Sequence, residues 1–315
     1  MKKSGIIVIL SIILCLAVFA GCSPSQQTPT GDKDPTGPSQ SAVTGNNTVV
    51  FSDTAATVSG QSVKAEGTRV TISAEGTYTV SGSCSDGSIT VSAPDTATVY
   101  LILDGLTLCN KNGAVINGVS AKKIFICPKK ETSSVLSDTF TAATRSDDAV
   151  IYSKTDITLN GEGKLTVEAN YKDGIATSDD LKIKSGETVV TAVNNGMKGK
   201  DRLEISGGTV NVTAGNDGLK STKETNPDHG YVLIEGGNVT VKAVDDGVSA
   251  FNYFRMTGGT LAIESDNNGI KSETLIDITG GTVNITTSDD GLKAPSQTGA
   301  ATADVIVNGQ KIYFK

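Results

Sequence analysis

A short phrase recurs along this chain at a nearly fixed interval: two acids or amides, a glycine, an apolar residue and often a lysine. Aligned on the glycine, it reads KDGI at 172–175, NNGM at 194–197, NDGL at 216–219, DDGV at 245–248, NNGI at 267–270 and DDGL at 289–292, with DDAV at 147–150 as a divergent first member. From Ala149 onward the intervals are 25, 22, 22, 29, 22 and 22 residues. The pairs Gly207-Gly208, Gly236-Gly237, Gly258-Gly259 and Gly280-Gly281 keep step with it, at 29, 22 and 22. Two markers that share one period, including its one long interval, identify a repeat architecture.

Within each repeat lie short runs such as TVNVT at 209–213 and TVNIT at 282–286, with β-branched residues at every second position. These are strand patterns, and no window carries a helical period. A unit of this length holds three short strands and three turns but cannot close a core alone. Winding the units into a parallel β-helix solves the problem, because each strand then pairs with its equivalent one coil away. A propeller blade needs about twice the length. The expected fold is therefore all-β, a single-stranded parallel β-helix of about 22 residues per coil. Its core takes Ile175, Met197, Leu219, Val248, Ile270 and Leu292, together with Val210, Val212, Leu261, Ile263, Val283 and Ile285. The glycines are expected to supply positive φ at tight corners. The longer interval places a loop around TKETNPDHG, 222–230.

The ends differ from the array. Met1-Lys2-Lys3, the apolar stretch Ile6 to Ala20 and Phe19-Ala20-Gly21-Cys22 have the layout of a bacterial lipoprotein signal, residues 1–22, in which Cys22 is acylated. An ordinary signal peptide or an uncleaved anchor is the alternative. Residues 23–45, rich in Pro, Thr, Ser and Gln, form a flexible linker. The folded domain spans 46–315, with irregular first coils and a cap over 46–145, regular coils over 146–295 and a C-terminal cap over 296–315. A separate small β domain is the alternative for 46–145. Cys84, Cys109 and Cys127 form one disulfide at most, or stay as buried thiols.

In a β-helix, neighbouring coils lie about 4.8 Å apart. The residues preceding the glycines therefore form two columns: Asp148, Asp173, Asn195, Asp217, Asp246, Asn268 and Asp290, and beside them Asp147, Lys172, Asn194, Asn216, Asp245, Asn267 and Asp289. Two carboxylates at that spacing repel by about 1 kcal/mol in water and about 3–4 kcal/mol at an effective dielectric near 20. Three compensations are open. Asn rungs remove charge and stack their amides, Lys198, Lys220, Lys271 and Lys293 neutralise the column, or a cation sits in it. Calcium takes oxygen ligands at about 2.3–2.6 Å and fits between acids of adjacent coils. The expected Ca²⁺ ligands are Asp147, Asp148, Asp173, Asp217, Asp245, Asp246, Asp289 and Asp290. Turn-forming Asx residues without metal are the alternative.

The formal net charge of −7 argues against a nucleic-acid partner. For an anionic glycan, something must bridge the like charges. The phrases DGSITVSA (86–93), LILDGLTL (101–108), YSKTDITLNGEGKLTV (152–167), YKDGIATSDDLKI (171–183) and the iterated GGTVNVTAGNDGLKS pattern resemble a bacterial carbohydrate-binding β-helix family, whose founding member is a clostridial cell-surface protein that binds cellulose and acidic sugars. The resemblance covers nearly all of the chain beyond the linker. It implies a right-handed, polysaccharide-lyase-like β-helix, bound calcium and affinity for plant cell-wall polysaccharide.

The expectation is thus a lipid-anchored, extracellular and non-catalytic binder of acidic glycans such as polygalacturonate, with cellulose as a further candidate. The four column lysines would contact the polymer, and Tyr231, Phe251 and Tyr253 would stack on sugar rings, with ordinary packing as the alternative for these aromatics. Two alternatives stand beside it. One is a calcium-dependent pectate lyase, in which the ion neutralises the uronate carboxylate and a lysine removes the neighbouring proton. The other is a structural adhesin.

Overall fold

Each repeat supplies three short strands, and each strand hydrogen-bonds in parallel to its counterpart in the next repeat. The computed structural model describes residues 47–139, 149–299 and 304–313. In the regular part the first stack comprises Asp173–Thr177, Met197–Gly199, Leu219–Ser221, Val248–Ala250, Ile270–Ser272 and Leu292–Lys293. The second runs through Asp180–Ile183, Arg202–Ile205, Tyr231–Ile234, Tyr253–Met256 and Leu275–Ile278. The third runs through Glu187–Ala192, Thr209–Ala214, Asn238–Ala243, Thr260–Ser265 and Thr282–Thr287. The register follows the sequence repeat, with Ile175, Met197, Leu219, Val248, Ile270 and Leu292 paired in succession. The fold is an all-β solenoid of parallel strands in large sheets.

Alternation in the sequence becomes an inside and an outside. Ile175, Met197, Leu219, Val248 and Ile270 are fully buried, as are Val283 and Ile285, and Leu292 in the last regular coil is half-buried. Outward residues of the third stack, such as Lys242 and Glu264, stay exposed and pair across rungs at 2.8 Å. The part without a strict sequence period joins the same solenoid. Val70, Ile89, Ile116, Ile151 and Ile175 continue one column without a break. Antiparallel pairs occur toward the ends, Asn47–Phe51 with Ala56–Ser59 and Val63–Glu66 with Arg69–Ile72 at one and Asp304–Val307 with Gln310–Ile312 at the other. Cys84, Cys109 and Cys127 are free thiols, two of them buried.

The glycines divide into two kinds, where the sequence suggested one. The second glycine of each pair takes positive φ, +85° at Gly237 for instance, a conformation that L side chains rarely adopt. The glycine of the recurring phrase does not. At Gly218 a Cβ would lie 2.2 Å from Val241 Cγ1 and 2.7 Å from the Gly247 carbonyl oxygen of the next rung. Close approach of core and backbone, rather than left-handed geometry, requires glycine there.

The long interval does produce a loop, between Leu219–Ser221 and Tyr231–Ile234. Its base is fastened by Asp201, whose carboxylate meets His229 Nδ1 at 2.7 Å and Lys223 Nζ at 3.1 Å. The Asn252 side-chain amide donates to the Asn226 carbonyl at 2.9 Å and also to that of His229.

Candidate functional site

The residues before the recurring glycines stand above one another along the solenoid. The backbone N–H of Asn195 donates to Asp173 Oδ1 at 3.1 Å, and its side-chain amide donates to the same oxygen at 2.9 Å. Asn194 adds a third donor at 2.7 Å. Two rungs on, the Asp246 N–H donates to Asp217 Oδ1 at 3.2 Å. Asn268 repeats the first pattern on Asp246 Oδ1, with N–H at 3.2 Å and amide at 2.7 Å, while Asn267 donates to Asp245 Oδ1 at 2.7 Å. The Asn rungs therefore cap acidic rungs with charge-assisted hydrogen bonds, which stabilise a carboxylate where it stands.

The lysines are drawn into the same column. Lys198 Nζ lies 2.8 Å from Asp173 Oδ2, and Lys220 Nζ forms a short contact with Asp217 Oδ2. Lys271 stands 3.8 Å from Asp246, and Lys293 lies 3.6 Å from Asp289 and 3.9 Å from Asp290. Registers Lys198 to Lys220, Lys220 to Ser249, Ser249 to Lys271 and Lys271 to Lys293 place all four on one outward line of the first stack.

The acids concentrate at one point. Asp217, Asp245 and Asp246 each place a carboxylate oxygen within 4.8 Å of the others, and Asp217 and Asp246 are both buried. Burial raises the Asp217 carboxyl above the usual range, the hydrogen bond and charge of Lys220 oppose the rise, and the charges of Asp246 and Asp245 reinforce it. Three carboxylates facing two lysines, Lys220 and the more distant Lys271, leave an excess of negative charge in a desolvated place.

A divalent cation fits this donor set. The ligands are hard oxygens from adjacent rungs, as calcium requires, and neither sulfur nor imidazole is present in the group. Asn268 Oδ1, buried on the next rung, has no hydrogen-bond partner. Its counterpart Asn195 Oδ1 accepts from Asn216 Nδ2 at 3.0 Å. The residue equivalent to Asn216 on the rung after Asn268 is Asp289, a carboxylate with no N–H to give. An acceptor left in this way can be satisfied by a cation or by an ordered water.

The other expected site residues are dispersed. Phe251, half-buried, follows the first stack, whereas Tyr231 and Tyr253 lie in the second. Tyr231 is buried, its hydroxyl accepts from the Arg202 guanidinium at 3.0 Å, and its ring stacks on that of Tyr253 at 4.7 Å and 7°. One face of each ring is thus spent on its neighbour. Asp147, Asp148 and Cys22 lie outside the described residues.

A second acidic group had no counterpart in the sequence reading. Asp156, Asp179 and Asp180 also converge within 4.8 Å. Burial raises all three; like charges add to the rise at Asp156, and Arg202 opposes it at Asp180. This group is largely compensated, since Arg202 NH2 lies 2.5 Å from Asp180 and Lys123 lies 3.5 Å from Asp156. Its signal was present as TD at 155–156, DD at 179–180 and DR at 201–202, one phrase per repeat.

A family model described as a carbohydrate-binding domain-containing protein matches residues 66–312. The chain belongs to that family. A carbohydrate-binding domain-containing protein of Acetivibrio thermocellus is 36% identical over 200 residues, which are 61% of this chain and 66% of that relative, just under two thirds of its length. Among solved structures, the polysaccharide lyase-like protein from C. thermocellum, determined as a gadolinium derivative, aligns with a TM-score of 0.68 and 32% identity. That match covers 82% of this carbohydrate-binding domain chain and 98% of the other.

Proposed function

We propose that this carbohydrate-binding protein is a lipid-anchored, extracellular, right-handed β-helix that holds acidic plant cell-wall polysaccharide through calcium without cleaving it. The observation that carries the proposal is the convergence of Asp217, Asp245 and Asp246 on one face of a protein with formal net charge −7. A surface of that sign repels a uronate polymer, and bound calcium would supply the bridging charge between the two sets of carboxylates. The chain's own residues do the rest. Asn267 and Asn268 orient the acids, Lys198 and Lys271 offer ammonium groups to further carboxylates or hydroxyls, and the partly exposed Tyr253 and Phe251 offer apolar edges to pyranose rings. Acylation at Cys22 would tether the domain to the membrane.

A lyase is the second reading, favoured by the description of the solved relative as polysaccharide lyase-like. Each column lysine is engaged by a carboxylate, so a lysine acting as the base would first have to leave that partner. The test is a panel of polygalacturonate, methylated pectin and cellulose, assayed in calcium and in excess chelator, with ultraviolet absorbance followed for unsaturated uronate. The expected result is calcium-dependent retention on polygalacturonate with no absorbance gain. Equal retention in chelator overturns calcium bridging, and steady release of unsaturated product overturns the non-catalytic reading.

A further inference from the structure

At the opposite end of the same sheet face lies a polar cavity of about 260 Å³, among the irregular first coils. Its lining includes Arg69, Ser88, Thr90, Asn110, Asn112 and Asn117. We propose that this cavity is a calcium-independent subsite for a single uronate residue of the polysaccharide. The inference rests on the reading of the chain as a binder of acidic glycan and adds to it a second point of contact with different chemistry.

The floor of the cavity is fixed before any ligand arrives. Arg69 NH1 donates to Asn110 Oδ1 at 2.9 Å and its NH2 donates to Asp86 Oδ1 at 2.7 Å. Asn110 is buried, and its side-chain amide donates to the Ala114 carbonyl at 2.6 Å. A guanidinium has five N–H donors, and these two bonds leave three for a carboxylate. Holding the fork in place in advance lowers the entropy lost when an anion docks. The side chains of Ser88, Thr90, Asn112 and Asn117 make no hydrogen bond to any described residue, so their hydroxyl and amide groups are available to sugar hydroxyls. The volume suits one pyranose with its substituents, and six of the eight lining residues are polar, Gly113 and Ala114 being the others, which suits a single hydrophilic sugar.

The Arg69 fork selects the class of sugar. Asp86, beside the cavity, is shared between Arg69 and the backbone N–H of Lys111 at 3.2 Å. The Lys111 charge acts on both Asp86 and Asp53, so cations and acids balance here, and it is the unused donors of the Arg69 guanidinium that offer a uronate carboxylate charge-assisted hydrogen bonds without a bridging ion. Position selects the polymer. Thr90 pairs with Asn117, Asn117 with Tyr152, Tyr152 with Ala176, and Ala176 with Lys198. The cavity and the lysine line therefore share one outward column, with Asn117 three rungs, or about 14 Å, from Lys198. One glycan chain laid along this face reaches both.

The experiment is calorimetric titration of the full chain with free galacturonate and with galactose, both in excess EDTA. Saturable galacturonate binding is expected, with galactose at least tenfold weaker. Arg69→Met and Asn117→Ala are each expected to weaken galacturonate at least tenfold. The Asn117 side chain makes no hydrogen bond to any described residue, so its variant tests the site even if Arg69→Met disturbs the first coils. Absence of saturable binding in EDTA, or equal affinity in wild type and Asn117→Ala, overturns the proposal. The outcomes separate it from the calcium reading. Galacturonate binding that survives Asp217→Asn supports the cavity whatever becomes of the calcium response, and calcium-dependent polymer retention beside a failed EDTA titration removes the cavity alone.

Discussion

Gly218→Ala is expected to destabilise the domain by about 3 kcal/mol or more, the upper range for forcing a group into a packed interior. The new methyl carbon would lie 2.2 Å from Val241 Cγ1 and 2.7 Å from the Gly247 carbonyl oxygen. The first neighbour is a side chain of the core and has little room to move. The second is backbone, and it accepts the Leu219 N–H at 3.0 Å, so moving it opens the ladder between two rungs. Double replacement with Val241→Ala removes one clash and leaves the other, and it is expected to recover only part of the loss. Thermal unfolding of the wild type and the two variants measures this. A Gly218→Ala melt at the wild-type temperature would mean that the rungs are not held at this distance.

Calcium in large excess over its dissociation constant is expected to raise the melting temperature of the wild-type chain markedly. A hundredfold excess corresponds to about 2.7 kcal/mol by linkage, which for a domain of this size is roughly 5–10 °C. Asp217→Asn and Asp246→Asn are expected to lose most of that gain. In chelator, Asp217→Asn should be at least as stable as wild type, because it removes a buried charge from a site with an excess of them. The pH dependence has a defined sign. The Asp217 carboxyl is raised above its unfolded value by burial, against the opposing effect of Lys220 and with reinforcement from its acidic neighbours. Its cost to the metal-free fold is therefore fully present above the raised value and is relieved as pH falls through it towards the ordinary aspartate range. Over the same window protons compete with the cation, so the calcium-induced rise should shrink on acidification. A calcium response that is unchanged in both variants would remove the site from Asp217 and Asp246.

How much of this was legible in the sequence follows from which residues the period controls. Rungs, registers and the buried column Ile175, Met197, Leu219, Val248 and Ile270 are direct consequences of a two-marker repeat, and the approach of Asp217 to Asp245 and Asp246 follows from stacking those rungs. The packing reason for Gly218 was not legible, because a glycine at a tight backbone contact and one at positive φ look alike in one dimension. The stacking of the tyrosine pair on each other was not legible for a related reason. Tyr231 and Tyr253 are equivalent positions of successive repeats, so their rings meet along the solenoid and Arg202 continues the column below them. The acids at 156, 179 and 180 were obscured by Lys and Arg at equivalent positions of neighbouring coils. The polar cavity lies where no strict period exists, and only pairing of Thr90 with Asn117 reveals that these coils share a face with the lysines.

The most direct test of the cation column is an anomalous difference map from a crystal of this chain saturated with a lanthanide ion in place of calcium. The account predicts a peak within coordination distance of Asp217, Asp245 and Asp246, lost in Asp217→Asn. Peaks confined to other parts of the surface, with Lys220 still seated on Asp217 at saturating ion, would contradict it.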